Sequence, residues 1–264
     1  MHGAIVTKDI EYAKRGETSL TLDLYAPEGV AAFPLVVFVH GGGWQAGDKA
    51  SGAVWGHYLA QRGIGLASVK YRLANRGKAF PEALDDIQEA IAFLRGNAES
   101  HGCDPKRIAL FGASAGAQIA ALAGLTGVAE TAVKLVVCGY GVYDMLAQWE
   151  HELSARPRNN LVEGYLGASP MDDRRLYFDA SPISHATTAN RRVKFLLTWG
   201  LQDDVVDPMQ SQTFMLALER AGFFARSLVV PEAGHYWLSD PLEEAHSFSG
   251  RFAPTLLRFL QSWL

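Results

Sequence analysis

Ile108-Ala109-Leu110-Phe111-Gly112-Ala113-Ser114-Ala115-Gly116 runs from a short apolar segment straight into a serine framed by small residues. Residues 108–111 read as a buried strand and 115–125 as a helix, so Ser114 falls on the turn between them. A serine on so tight a strand-to-helix turn needs small neighbours on both sides, because the backbone is crowded there. Gly112 and Gly116 supply that room, and Ala113 and Ala115 flank the hydroxyl. The other Gly-Ala-Ser, at 167–169, is followed by Pro170, which has no N–H to offer a developing anion. Ser114 is therefore the candidate nucleophile.

Working outward, residues 35–39, 65–71, 135–138, 194–198 and 227–230 form further apolar runs too continuous for a half-solvated sheet. Helical patterns at 53–61, 81–95, 208–221 and 251–263 lie between and after them; the second carries Leu84, Ile87, Ile91 and Leu94 at three-to-four spacing. Two alternating stretches, 5–12 and 19–25, open the chain as paired strands around Arg15-Gly16. The alternation predicts an α/β fold, a mostly parallel, doubly wound sheet with helices on both faces. Residues 145–190 break the rhythm. They are polar and irregular, with Arg156-Pro157 and Ser169-Pro170 inside them, and are expected to form a cap-like insertion on a single domain spanning 1–264.

Composition narrows the function. The chain has 264 residues, 24 Lys and Arg against 28 Asp and Glu, a net charge of −4 and 48% hydrophobic residues. That excludes a disordered chain and leaves no basic footprint for nucleic acid. Cys103 and Cys138 form no CxxC pair, which argues against a disulfide scaffold or structural zinc. His151-Glu152 begins like HExxH, but position 155 is alanine, so that zinc motif fails and no metal or cofactor is expected. Residues 108–129 carry no formal charge, yet glycines and polar residues interrupt them, and a strand, a turn and a buried helix account for them better than a membrane span. Residues 1–10 show no leader pattern, so a cytoplasmic location is expected.

A nucleophilic serine needs a site for the negative oxygen it creates. His40-Gly41-Gly42-Gly43-Trp44 follows the strand at 35–39, and its glycines can turn amides toward the carboxyl edge of the sheet. Gly42, Gly43 and the amide of Ala115 are the candidate oxyanion hole. No GxxxxGK[ST] or GxGxxG is present to favour a phosphate loop. The base and its acid should follow the serine in the order acid, then histidine. His235 stands on a short loop after the strand at 227–230, with His246 as the second candidate. After the strand at 194–198 three carboxylates compete; Asp203 is preferred, Asp204 is the reserve, and Asp207, before Pro208, suits a helix cap. Trp44, Tyr140, Tyr143, Trp149 and Trp237 are candidates for an aromatic wall over the substrate, with Trp44, Tyr143 and Trp237 preferred.

With HGGGW, the following Gly47-Asp48-Lys49 and GASAG, the chain resembles the esterase and lipase branch of the α/β-hydrolase superfamily, especially small acetyl-esterase and feruloyl-esterase types. Ala180-Ser181-Pro182 and a G-x-x-D-x-x-V pattern over 200–206 extend the likeness, and the latter implies Asp203 as the acid. Relatives often carry a second glycine where this chain has Ala117. The resemblance implies hydrolysis of a short-acyl or aromatic ester, a small-molecule partner with no nucleic acid or membrane, through an acyl-enzyme. HGGxW is shared with kynurenine formamidases, so cleavage of an aryl formamide is the alternative. A ligand-binding protein on an inactive hydrolase fold is a third reading, which the presence of both serine and histidine disfavours.

Overall fold

Apolar β-prone segments alternate with helical ones along the chain. In the computed structural model, which describes every residue except Pro157 and Ala245, they assemble into one eight-stranded sheet flanked by helices on both faces. The proline of the Arg156-Pro157 break therefore lies outside the described residues. In chain order the elements are β1 Ala4–Arg15, β2 Thr18–Pro27, β3 Phe33–Val39, α1 Ala53–Ala60, β4 Gly65–Val69, α2 Glu82–Gly96, the single turn α3 Ala98–His101, β5 Cys103–Ala113, α4 Ala115–Thr126 and β6 Leu135–Gly139. After them come α5 Met145–Ala155, α6 Leu161–Leu166, α7 Arg174–Ala180, β7 Lys194–Gly200, α8 Met209–Arg220, β8 Ala225–Val230 and α9 Phe248–Trp263.

The strands lie in the order β1-β2-β4-β3-β5-β6-β7-β8. β1 pairs with β2, and β2 with β4, in antiparallel fashion. Every pairing from β4 to β8 is parallel. Val36, Val37, Leu110, Val136, Val137 and Leu197 have no exposed surface, as two-sided cover by helices requires. Burying each contributes about 1.5–3 kcal/mol. The outer strand β1 is broken by two register shifts, which roughen an edge that would otherwise invite pairing with another chain.

From β3 the chain winds to β4 on one side, then crosses to β5 on the other. The loops after β3 and β5 thus diverge from adjacent strand ends, where Val39 is paired with Gly112. In open α/β sheets such a switch point opens a crevice at the carboxyl edge. Among the described residues no helix is long and apolar enough to span a bilayer.

Residues 145–190 are more ordered than the sequence reading expects. They hold α5, α6 and α7 and short 3-10 turns at Pro182–His185 and Thr188–Asn190. Each helix is started by a side-chain cap: Asp144 accepts from Leu146 and Ala147, Asn160 from Glu163, and Asp173 from Leu176, all at 3.0–3.1 Å. Such caps hold helices too short to show a long apolar period.

Candidate active site

Gly112 and Gly116 make the turn at Ser114 possible. A Cβ on Gly112 would strike the carbonyl of Gly116, and one on Gly116 would strike the carbonyls of Val39 and His40. Ser114 itself adopts φ 54°, ψ −124°, a conformation that costs a side-chain-bearing residue about 1–3 kcal/mol. The surroundings hold it there: its amide donates to the carbonyl of Gly139 on β6 at 2.9 Å, and its carbonyl accepts from Ala117 at 2.9 Å. The hydroxyl is thereby displayed above the carboxyl edge of the sheet.

The loops after β7 and β8 bring two more side chains to that hydroxyl. They brace each other, since the amide of Gln202 donates to the carbonyl of Ala233 at 3.0 Å. Asp203 Oδ2 lies 2.7 Å from His235 Nδ1, and His235 Nε2 lies 2.9 Å from Ser114 Oγ. With an ionised carboxylate as acceptor, Nδ1 carries the proton and Nε2 is left to accept from the serine hydroxyl. The side chains of Asp203 and His235 are each 1% exposed, so solvent scarcely screens the pair. The other Asp203 oxygen accepts from the amides of Val205 and Val206 at 3.0 and 2.9 Å, which fixes the carboxylate's plane. Asp204 is exposed, and the carboxylate bonded to His235 is that of Asp203; Asp207 caps the turn into α8 through the amide of Met209 at 2.8 Å. His246 is exposed, and His151 is hydrogen-bonded to the carbonyl of Asp204 at 3.2 Å.

Beside Ser114 the glycine loop turns through φ 120° at Gly42 and 58° at Gly43. The carbonyl of Gly42 closes the loop by accepting from Gln45 and Ala46 at 3.2 and 3.0 Å. Among the described residues nothing accepts from the amides of Gly42, Gly43 or Ala115. These three residues and Ser114 line one cavity of 320 Å³. His40 sits behind the loop, fully buried, with Nδ1 2.7 Å from the carbonyl of Gly41 and its ring stacked on Tyr71 at 4.4 Å. Burial pushes its pKa below the ordinary histidine value, so it is neutral.

The aromatic wall needs correction. Trp44 does line the cavity; its Nε1 donates to Gln118 at 2.9 Å and its ring stacks on Tyr165. Tyr143 does not line it, being fully buried against Phe214 at 4.3 Å, and Trp237 packs on Tyr140 and Phe252 in the core. Tyr140 packs against the ring of His235 and Trp149 bonds Glu163, both outside the cavity lining. The wall is instead made by Val142, Leu161, Val205 and Val206, with Gln148, Glu152 and Arg156 of the α5 segment and Tyr236, a residue 60% exposed. Of these, only Tyr236 carried a sequence signal, as an aromatic residue directly after His235. No group of side chains suited to a metal ion occurs among the described residues.

Comparison with known proteins agrees with this geometry. Esterase LipQ of Mycobacterium tuberculosis is 32% identical over 251 residues, 88% of this chain and 57% of that protein. The chain spans about half the length, or less, of the curated relatives it matches. Among solved structures, a bifunctional GH43-CE protein of Bacteroides eggerthii aligns with a TM-score of 0.82 and 26% identity over 97% of this chain and 38% of that one. Thermogutta terrifontis esterase 2 shares the fold, with a TM-score of 0.79 and 22% identity over 98% of this chain and 94% of that one. The BD-FAE family model matches residues 22–218, and the chain therefore belongs to that family, within the esterase and lipase branch of the α/β-hydrolase superfamily.

Proposed function

We propose that this chain is a serine carboxylesterase acting on short-acyl or aromatic esters. The observation that carries the reading is the unbroken line from Asp203 through His235 to Ser114, at 2.7 and 2.9 Å, ending beside three amides with no acceptor among the described residues. Ser114 Oγ attacks the ester carbonyl while His235 Nε2 takes its proton. The carbonyl oxygen becomes an oxyanion held by the amides of Gly42, Gly43 and Ala115, each worth about 3–4 kcal/mol to the transition state. The C–O bond to the alcohol then breaks, and His235 returns the proton to the departing oxygen. Water repeats the sequence on the acyl-enzyme and restores the Ser114 hydroxyl. Asp203 holds the imidazole in the required tautomer throughout. No step calls for a cofactor.

Residues 145–190 act as a cap on the single domain, because α5, Arg156 just beyond it and α6 supply four of the residues around the cavity. Its 320 Å³ and the valines and leucine in its wall suit a short acyl or an aromatic group. The relative named an esterase favours an ester over a formamide. Cys103 and Cys138 are free, buried thiols, in keeping with a reducing compartment such as the cytoplasm. The test is hydrolysis of p-nitrophenyl acetate and butyrate beside N-formylkynurenine. Both esters are cleaved, the formamide more slowly, and Ser114→Ala lowers ester turnover roughly 10³-fold or more. Faster cleavage of the formamide would replace this reading with an amidase.

A further inference from the structure

A second cavity, of 870 Å³, opens at the amino edge of the sheet, the edge opposite Ser114. It is bordered by Lys134, just before β6, and Lys194, the first residue of β7, whose amide donates to the Lys134 carbonyl at 2.9 Å. Ser114 is bonded to Gly139 at the other end of β6, so about 13 Å of strand separates the two places. Half of the residues lining this basal cavity are cations: Arg95, Lys106, Lys134, Arg192 and Lys194. Among the described residues no carboxylate lines it, and none of the five cations forms an ion pair. Asp104, close to Lys106 in sequence, is taken by Arg107 at 2.8 Å. In a chain of net charge −4, so concentrated a positive lining repels itself, and an anion would relieve that repulsion.

The cations are held in place. Arg95 is fixed by the carbonyls of Pro105, Ala129, Glu130 and Ala132, and Arg192 donates to the carbonyl of Gly127 at 2.9 Å. Lys194 Nζ stands 4.6 Å from the centre of the Trp263 ring. These partners are dipoles and a ring face, which leave the positive charges uncancelled. Lys106 and Lys134 are exposed. Reachable apolar surface lies beside them: Trp263 is 42% exposed, Pro105 is exposed and Ala132 is half-buried.

We propose that the basal cavity binds a small amphipathic anion, an apolar body carrying one carboxylate or similar headgroup. Lys106, Lys134 and Arg192 meet the charge, and Trp263 meets the apolar body. The volume falls within the roughly 300–1,000 Å³ of small-molecule sites. A flat anionic membrane would meet only the exposed cations and leave the half-buried Ala132 and Lys194 untouched, so a free ligand fits better. The site is separate from the esterase chemistry and does not depend on it.

Isothermal titration with 2-naphthoate, 2-naphthylmethanol and 2-naphthylmethylammonium keeps the ring constant and varies the charge. The anion binds about tenfold or more tightly than the alcohol, and the ammonium does not saturate. Lys106→Glu/Lys134→Glu weakens the anion about tenfold or more, and Trp263→Ala weakens it about three- to tenfold. Lys134→Gln changes one exposed side chain, weakens binding about threefold, and decides the matter if circular dichroism shows the double variant misfolded. Lys8→Glu/Lys14→Glu reverses two exposed charges on β1, outside the cavity, and leaves affinity within about twofold. Equal affinity for anion and alcohol overturns the proposal. Wild-type affinity in both the Lys106→Glu/Lys134→Glu and Lys134→Gln variants, the result if naphthoate sits in the Ser114 cavity, overturns it as well. So does an equal loss in the two charge-reversed variants, which would reduce the effect to net charge. Adsorption to phosphatidylglycerol vesicles without naphthoate binding would assign this face to a membrane and also overturn it. The esterase reading stands under each of these outcomes.

Discussion

Asp203 and His235 meet through a 2.7 Å hydrogen bond, and the same carboxylate uses its other oxygen to hold the amides of Val205 and Val206. It orients the imidazole and anchors the loop that supplies the cavity with Val205 and Val206. Asp203→Asn keeps the shape but permits the wrong imidazole tautomer, and kcat for p-nitrophenyl acetate is expected to fall about 10³–10⁴-fold. Asp204→Asn, at an exposed neighbour, stays within about twofold. Equal losses would remove Asp203 from its assigned role.

Gly42 is held at φ 120°, and a Cβ there would strike the carbonyl of Ala46, the residue whose N–H donates to the Gly42 carbonyl and closes the loop. Gly42→Ala therefore distorts the amides proposed to receive the oxyanion. The expected loss in kcat is about 10²-fold or more, with a much smaller change in KM, as for a contact made chiefly in the transition state. A rise in KM alone, with kcat retained, would show that the loop only binds substrate.

His40 makes the fold sensitive to acid. Its pKa is depressed by burial in the native state, whereas in the unfolded chain it titrates near the ordinary value of about 6.5. Below that value the unfolded chain binds a proton that the native ring refuses, so stability is complete above about pH 6.5 and is lost as pH falls toward the native pKa. His101, lowered by burial too, acts with the same sign. The urea midpoint should drop between about pH 7.5 and 5.5, and His40→Gln should flatten part of that slope. A variant slope equal to or steeper than that of the wild type would show that His40 does not carry it.

Tyr236 lines the cavity with a left-handed backbone, φ 68°, its ring edge-on to His235 at 4.5 Å. An exposed ring there offers a stacking face to an aromatic substrate, worth about 0.5–1.5 kcal/mol. Tyr236→Ala should lower kcat/KM for phenyl acetate by about three- to tenfold and leave methyl acetate within about twofold. Equal effects on both esters would mean that the ring serves the imidazole, not the substrate.

The parts of this molecule that were legible in its sequence are those with local steric demands. GASAG announces a crowded turn, and continuous apolar runs announce strands covered on both faces. The helices of residues 145–190 escaped because each is short and depends on a single capping side chain such as Asp144 or Asp173. Tyr143 and Trp237 were misplaced because an aromatic residue after a strand reveals its size but not its direction; packing against Phe214 and Phe252 turned both inward. Gln148, Glu152 and Leu161 were invisible as cavity residues, since their place depends on how α5 and α6 dock over the sheet.

The most direct test is the covalent state of Ser114 during turnover. After rapid acid quench of the protein with p-nitrophenyl butyrate, peptide mass mapping should find one butyryl group, on Ser114, and none in Ser114→Ala. Butyryl transfer to another residue, or turnover by Ser114→Ala at the wild-type rate, would contradict the account.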